Sequence, residues 1–208
     1  MHPTEIELLN RYAASELAGS LLLGKYARMV DDPFLIVRLT NHCYDEARHS
    51  WKWMSFMEEN NIPVRSTHGR NDYFGYMSET ESVIDFLAAA HVYEMRVQFH
   101  LTCHAQVSKI HPELKKVMLE IMSDEKYHLA WIRDYFQKLQ KEGNKEVGPA
   151  IEKAGELENR TYNAYIKLLK KQDEYAKELA EIVEKNLPSY PFEWKNYLKK
   201  NAQRHNRK

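Results

Sequence analysis

"CYDEARHSW", residues 43–51, and "SDEKYHLAW", residues 123–131, carry the same order, Asp-Glu-x-x-His, and each closes on a tryptophan. One Glu-x-x-His arises by chance roughly once in a chain of this length and composition. Two that share the preceding Asp do not, which makes the pair a signal whose structural context has to be found. On a helix, positions i and i+3 project from one side, so Glu46 and His49 share a face, as do Glu125 and His128. Asp45 and Asp124 lie about 100° further round their helices.

The rest of the chain supplies that context. Glycine and proline number seven each in 208 residues and punctuate long helical patterns. A first helix is predicted from about residue 4 to 30, with Thr4 and Glu7 as a capping box and Ile6, Leu9, Ala13, Leu17 and Leu21 in helical period. Asp32 caps a second helix, Pro33 takes its first position, and the pattern runs to about Asn60. Residues 61–78, with Pro63, Gly69 and Gly75, read as a long connection. Ser78 and Glu81 open a third helix to about Ser108, and Pro112 opens a fourth that ends near Gly143.

Short links make helices 1 and 2, and helices 3 and 4, antiparallel hairpins. The connection between helices 2 and 3 is long enough to travel the length of a bundle, which leaves those two parallel. The predicted fold is all-α: a four-helix bundle over about residues 4–141 with one long crossover, and a fifth helix at about 149–186. Ile151, Leu157, Tyr162, Leu169 and Val183 form the apolar stripe of the fifth helix, suited to the bundle or to a partner subunit in a homodimer. Residues 1–186 are read as one domain and 187–208 as a basic tail.

A metal cluster inside such a bundle needs one carboxylate from each remaining helix. Helix 1 has Glu16 within "AASELAGS", and helix 3 has Glu94 within "AAAHVYEMRV". The spacing is nearly equal, 30 residues from Glu16 to Glu46 and 31 from Glu94 to Glu125, so two antiparallel hairpins can bring all four to one level. Four buried carboxylates repel one another and carry a large desolvation cost, which two divalent cations neutralise. Four carboxylates and two imidazoles suit iron or manganese with positions open to oxygen.

On Glu16, Glu46-x-x-His49, Glu94 and Glu125-x-x-His128 the sequence resembles the ferritin-like di-iron carboxylate superfamily, over about residues 1–141. The resemblance implies two iron ions, with a manganese–iron pair as the alternative. Glu16 and His49 would hold one, Glu94 and His128 the other, and Glu46 and Glu125 would bridge. A ligating imidazole needs its other ring nitrogen held, and Asp45 can reach His128 while Asp124 reaches His49. This doubled Asp-Glu-x-x-His is similar to that of bacterial hydrocarbon monooxygenases and acyl carrier protein desaturases.

Other residues near the stripe leave alternatives open. His42 and His91 lie one turn before Glu46 and Glu94; each is an extra ligand, a supporting hydrogen-bond partner or a core histidine. Tyr12, one turn before Glu16, is a hydrogen-bond partner of a carboxylate, a radical site or a packing residue. Trp51, Trp53 and Trp131 are expected in the core. Small residues around Glu16 and before Glu94 serve close packing or leave room for a substrate.

The composition narrows the function. Formal net charge is zero, which gives no global pull toward nucleic acid or an anionic membrane. No apolar run reaches the roughly 20 residues of a membrane span, and no signal peptide is evident at the start. Two cysteines suit reduced thiols in the cytoplasm and exclude a four-cysteine iron site in this chain. The leading expectation is an oxidoreductase that activates O2 to oxidise or hydroxylate a small organic or acyl substrate, with electrons from a separate donor. The alternatives are a rubrerythrin-like peroxidase or ferritin-like ferroxidase, and an iron-binding protein without turnover. Rubrerythrins commonly carry a Glu one turn after the helix 3 ligand, where this chain has Val97.

Overall fold

A computed structural model describes residues 1–65 and 72–187. Among them the chain forms α-helices and no strand: α1 Pro3–Ala27, α2 Pro33–Glu59, α3 Asp72–Glu79, α4 Val83–His104, α5 Pro112–Lys141, α6 Val147–Leu169 and α7 Glu174–Asn186. No helix among the described residues is long and apolar enough to cross a membrane. The basic tail lies outside the described residues from position 188 onward.

Local chemistry sets the helix starts. Asp32 accepts from the Phe34 N–H and Pro33 follows it, as expected for α2. Two starts differ from the sequence reading. The capping box of α1 is His2 with Glu5, because Pro3 takes the first turn and Thr4 is spent on Asp173. Ser82, not Ser78, caps α4, accepting from Ile84 and Asp85. Ser78 belongs instead to α3, a short helix inside the long connection.

Paired contacts give the helix directions. Between α1 and α2, Ser20 donates to the Cys43 carbonyl, Ser50 donates to the Ala13 carbonyl, and Trp53 reaches Glu16, so the two run antiparallel. Tyr12 meets His104 and Tyr26 stacks on Phe86 at 3.8 Å, so α1 also opposes α4, and α2 and α4 run parallel. Asp45 faces His128 and Lys52 faces Glu120, so α5 opposes α2.

The fifth predicted helix is two helices. α6 closes at Lys170, and Asp173 starts α7 by accepting from the Ala176 N–H, while Thr4 of α1 also donates to it. Packing on α4 is what α6 does: a buried, bidentate Arg96–Glu158 pair and the Arg96 guanidinium 3.7 Å over the Tyr162 ring join them. Ala88, Ala89 and Ala90 are buried in the core, so that stripe serves packing. Trp53 is fully buried, but Trp51, expected in the core, is 64% exposed because it stands on the outer face of α2.

Candidate metal centre

Four helices deliver the six residues of the sequence motif to one place. Glu16 comes from α1, Glu46 and His49 from α2, Glu94 from α4, and Glu125 and His128 from α5; all six are buried. Their ligand atoms fall into two groups, each with its atoms within 4.8 Å of one another. One is Glu16, Glu46, His49 and Glu125; the other is His42, Glu46, Glu94 and His128.

Glu46 belongs to both groups. Glu125 spans them in another way: Oε1 lies 3.0 Å from Nδ1 of His49 and Oε2 lies 2.9 Å from Nδ1 of His128. Both imidazoles thus turn Nδ1 inward. Their Nε2 atoms point to the opposite hairpin, at 3.2 Å from Asp124 for His49 and 3.4 Å from Asp45 for His128. Arg48 ties these aspartates together, at 3.0 Å from Asp45 and 2.9 Å from Asp124. Sequence reasoning missed Arg48, although it sits inside the first motif, because an arginine between two ligands reads as an outward-facing helix residue.

His42 is part of the cluster: Nε2 lies 3.4 Å from both Glu46 Oε1 and Glu94 Oε1, and its ring stacks on His128 at 3.7 Å. His91 is not; it packs against Phe136 and is in neither group, and burial, with Arg133 adding, pushes its imidazole down to about 3. Tyr12 does not hydrogen-bond a carboxylate. Its hydroxyl is 2.9 Å from His104 Nδ1, and its ring lies beside Trp53, whose N–H points at Glu16 from 3.5 Å. His104 and His100 carry no motif spacing and were legible only through these contacts.

The electrostatics are those of a crowded, dry site. Burial pushes Glu16 and Glu94 well above the usual carboxylate range, and the charges of Glu46 and Glu125 push further. Burial also opposes ionisation of Glu46 and Glu125, but the imidazoles outweigh it: Glu46 is held well below the usual range and Glu125 at about 2. For His128, burial opposes the proton and the two carboxylates win, raising it to about 10. Both ring nitrogens of His42, Nδ1 of His49, and one oxygen each of Glu46 and Glu125 make no hydrogen bond within the described protein. Buried polar atoms without a well-formed hydrogen bond cost about 1–3 kcal/mol each, and a cation within either group would give the facing carboxylate oxygens and imidazole nitrogens a partner.

A cavity of about 620 Å³ opens beside this cluster, between α1, α4 and α6. Buried Glu16 and exposed Arg11 and Leu168 all line it, and Ala14, Ser15 and Ala18 leave room along the α1 wall. Val97, one turn past Glu94, is also on the wall.

No protein-family model, curated protein or solved structure matches the chain. The functional reading therefore stands on the site itself.

Proposed function

We propose that the chain is a di-metal carboxylate oxidoreductase on a ferritin-like helical bundle, binding two iron ions and using O2 to oxidise or hydroxylate an organic substrate. The donor set fits such ions: four carboxylates and two Nδ1 imidazole atoms converge in two buried groups. Glu16, Glu46, His49 and Glu125 would hold one ion, and Glu46, Glu94 and His128 the other, with His42 as a second nitrogen donor there. When bound, the pair supplies the redox chemistry toward O2.

The protein's own groups do the remaining work. Asp124 and Asp45 fix the rings of His49 and His128 so that Nδ1 points inward. Arg48 holds both aspartates in place from one guanidinium. Glu16 and Glu94, raised by burial, give up their protons as positive charge enters.

The observation that carries the organic-substrate reading is the cavity that Glu16 helps to line. A ferroxidase or a peroxidase needs entry for an ion or for H2O2, not about 620 Å³ of space with several aromatic rings on its wall. The test is turnover of the iron-loaded, reduced protein under isotopically labelled O2 with a panel of ring-bearing and acyl compounds. Oxygen uptake that rises with one compound, with a matching oxidised product by mass spectrometry, supports the reading. Rapid H2O2 consumption, with O2 uptake indifferent to every compound, would overturn it in favour of the peroxidase.

A further inference from the structure

The cavity has a chemical polarity that is set from outside it. Tyr12 stands on its wall with the hydroxyl 2.9 Å from Nδ1 of His104. Nε2 of His104 lies 2.7 Å from the Tyr175 hydroxyl, which donates to Glu5 Oε1 at 3.2 Å. Glu5 ends the relay: Oε1 also accepts the His111 backbone N–H at 2.8 Å, and Oε2 accepts that of His2 at 3.3 Å.

Donor and acceptor roles then follow one from another. Both oxygens of Glu5 are acceptors, so the Tyr175 proton goes to Glu5. The Tyr175 oxygen can take only a donor from His104, so Nε2 carries the ring proton. Burial keeps His104 neutral, with a single ring proton, which leaves Nδ1 as a lone pair. Tyr12 must donate to it. With that proton committed, the Tyr12 oxygen can offer a bound molecule only lone pairs.

The other walls fix charge and shape. Arg11 pairs with Glu7 at 2.5 Å and Arg96 with Glu158, so both wall cations are already paired, and the third wall carboxylate, Glu16, belongs to the carboxylate–imidazole cluster. Tyr12, Tyr73, Phe74, Tyr93, Tyr162 and Tyr165 put six aromatic rings on the wall. Nε2 of buried His100, also on the wall, makes no hydrogen bond within the described protein, so a bound polar group would gain a partner.

We infer that the cavity takes an uncharged, ring-bearing molecule whose hydroxyl or amino hydrogen is donated to Tyr12, with the selectivity for a donor imposed through His104 and Tyr175 by Glu5. That this molecule is the substrate rests on the oxidoreductase reading; that it binds does not.

The experiment is calorimetric binding to the full chain, with and without zinc, which fills a metal site without redox turnover. The probes are 4-methylphenol, which donates; 4-methylanisole, which only accepts; and 4-methylbenzoate, which is charged. The phenol should bind about tenfold more tightly than either of the others, the worth of one satisfied against one unsatisfied polar group. Tyr12→Phe should bring the phenol-to-anisole ratio close to one. Tyr175→Phe, outside the cavity, should cut the ratio several-fold, because His104 is then free to carry its proton on Nδ1 and turn the Tyr12 hydroxyl loose. Should that variant not fold, Glu5→Leu makes the same cut one link further out. Equal affinity for phenol and anisole in the parent, tightest binding of the benzoate, or no binding of any probe would overturn the inference, as would a ratio untouched by Tyr12→Phe. Metal bound without probe sinks this inference alone, and probe bound without metal sinks the metal reading alone.

Discussion

Asp124 Oδ2 stands 3.2 Å from Nε2 of His49, on the helix of the opposite hairpin, while Nδ1 of the same ring faces Glu125 at 3.0 Å. One helix, α5, therefore grips both sides of a histidine that belongs to α2. The mirror relation holds His128 between Asp45 and the two carboxylates Glu46 and Glu125. The doubled motif is a doubled clamp, and each half is completed only by the other.

That reciprocity gives a crossed prediction. Asp124→Ala should weaken the site containing His49, and Asp45→Ala the site containing His128, each by about 10-fold to 100-fold in metal affinity. Arg48→Ala should affect both sites by a smaller factor, since it acts only through the aspartates. Stepwise cobalt titration followed by visible absorption separates the sites. Equal loss at both sites from either aspartate variant would contradict the crossed arrangement.

Stoichiometry is the plainest check of the cluster. Metal analysis of protein from iron-replete cells should approach two ions per chain, as two overlapping donor groups imply. Glu16→Ala should lower the value toward one, because Glu16 belongs to one group only. A value near one in the parent, unchanged in the variant, would remove Glu16 from the site.

Acid sensitivity can be read at His104. Its imidazole is pushed down to about 3 by burial, with His100 adding, against about 6.5 in an unfolded chain. The folded chain therefore refuses a proton that the unfolded chain accepts. The stability this contributes is fully present above about pH 6.5 and is lost progressively as pH falls toward 3. Between about pH 7.5 and 5.5 the loss is roughly 1.4 kcal/mol. Denaturant unfolding at the two pH values, in parent and in His104→Gln, should differ in pH response by that amount; taking the difference cancels what the carboxylate cluster contributes. An identical pH response in the two proteins would show that His104 is not held neutral.

Arg96 and Glu158 provide a test of how α6 is fastened. Both are buried and bonded to one another in bidentate fashion. Arg96→Ala should destabilise the protein by about 3–5 kcal/mol, chiefly because buried Glu158 is left without its partner. Adding Glu158→Leu to an Arg96→Met variant should recover most of that loss. A loss below about 1 kcal/mol for Arg96→Ala, measured by denaturant unfolding, would mean the pair is exposed in solution.

Glu46, His49, Glu125 and His128 were legible in the sequence because i, i+3 spacing on a helix fixes a shared face whatever surrounds it. Glu16 and Glu94 were legible because a lone glutamate among small and apolar residues is costly to bury without purpose. The all-helical class followed from the periodicity and from the sparse glycines and prolines. The break between α6 and α7 was missed although Asp173 caps α7 through a local bond from the Ala176 N–H, because the apolar stripe of the two helices reads as one continuous period; the contact with Thr4 from the other end of the chain shows only in the structure. Arg48, His104, Tyr175 and Glu5 likewise acquire their roles from partners far away in sequence, up to 170 residues for Tyr175 and Glu5. Spacing along one helix determines which side chains share a face, and the sequence alone states that. Which faces meet, and therefore which hydrogen bonds close and what the cavity beside Glu16 can accept, depends on contacts between helices, and only the tertiary structure decides it.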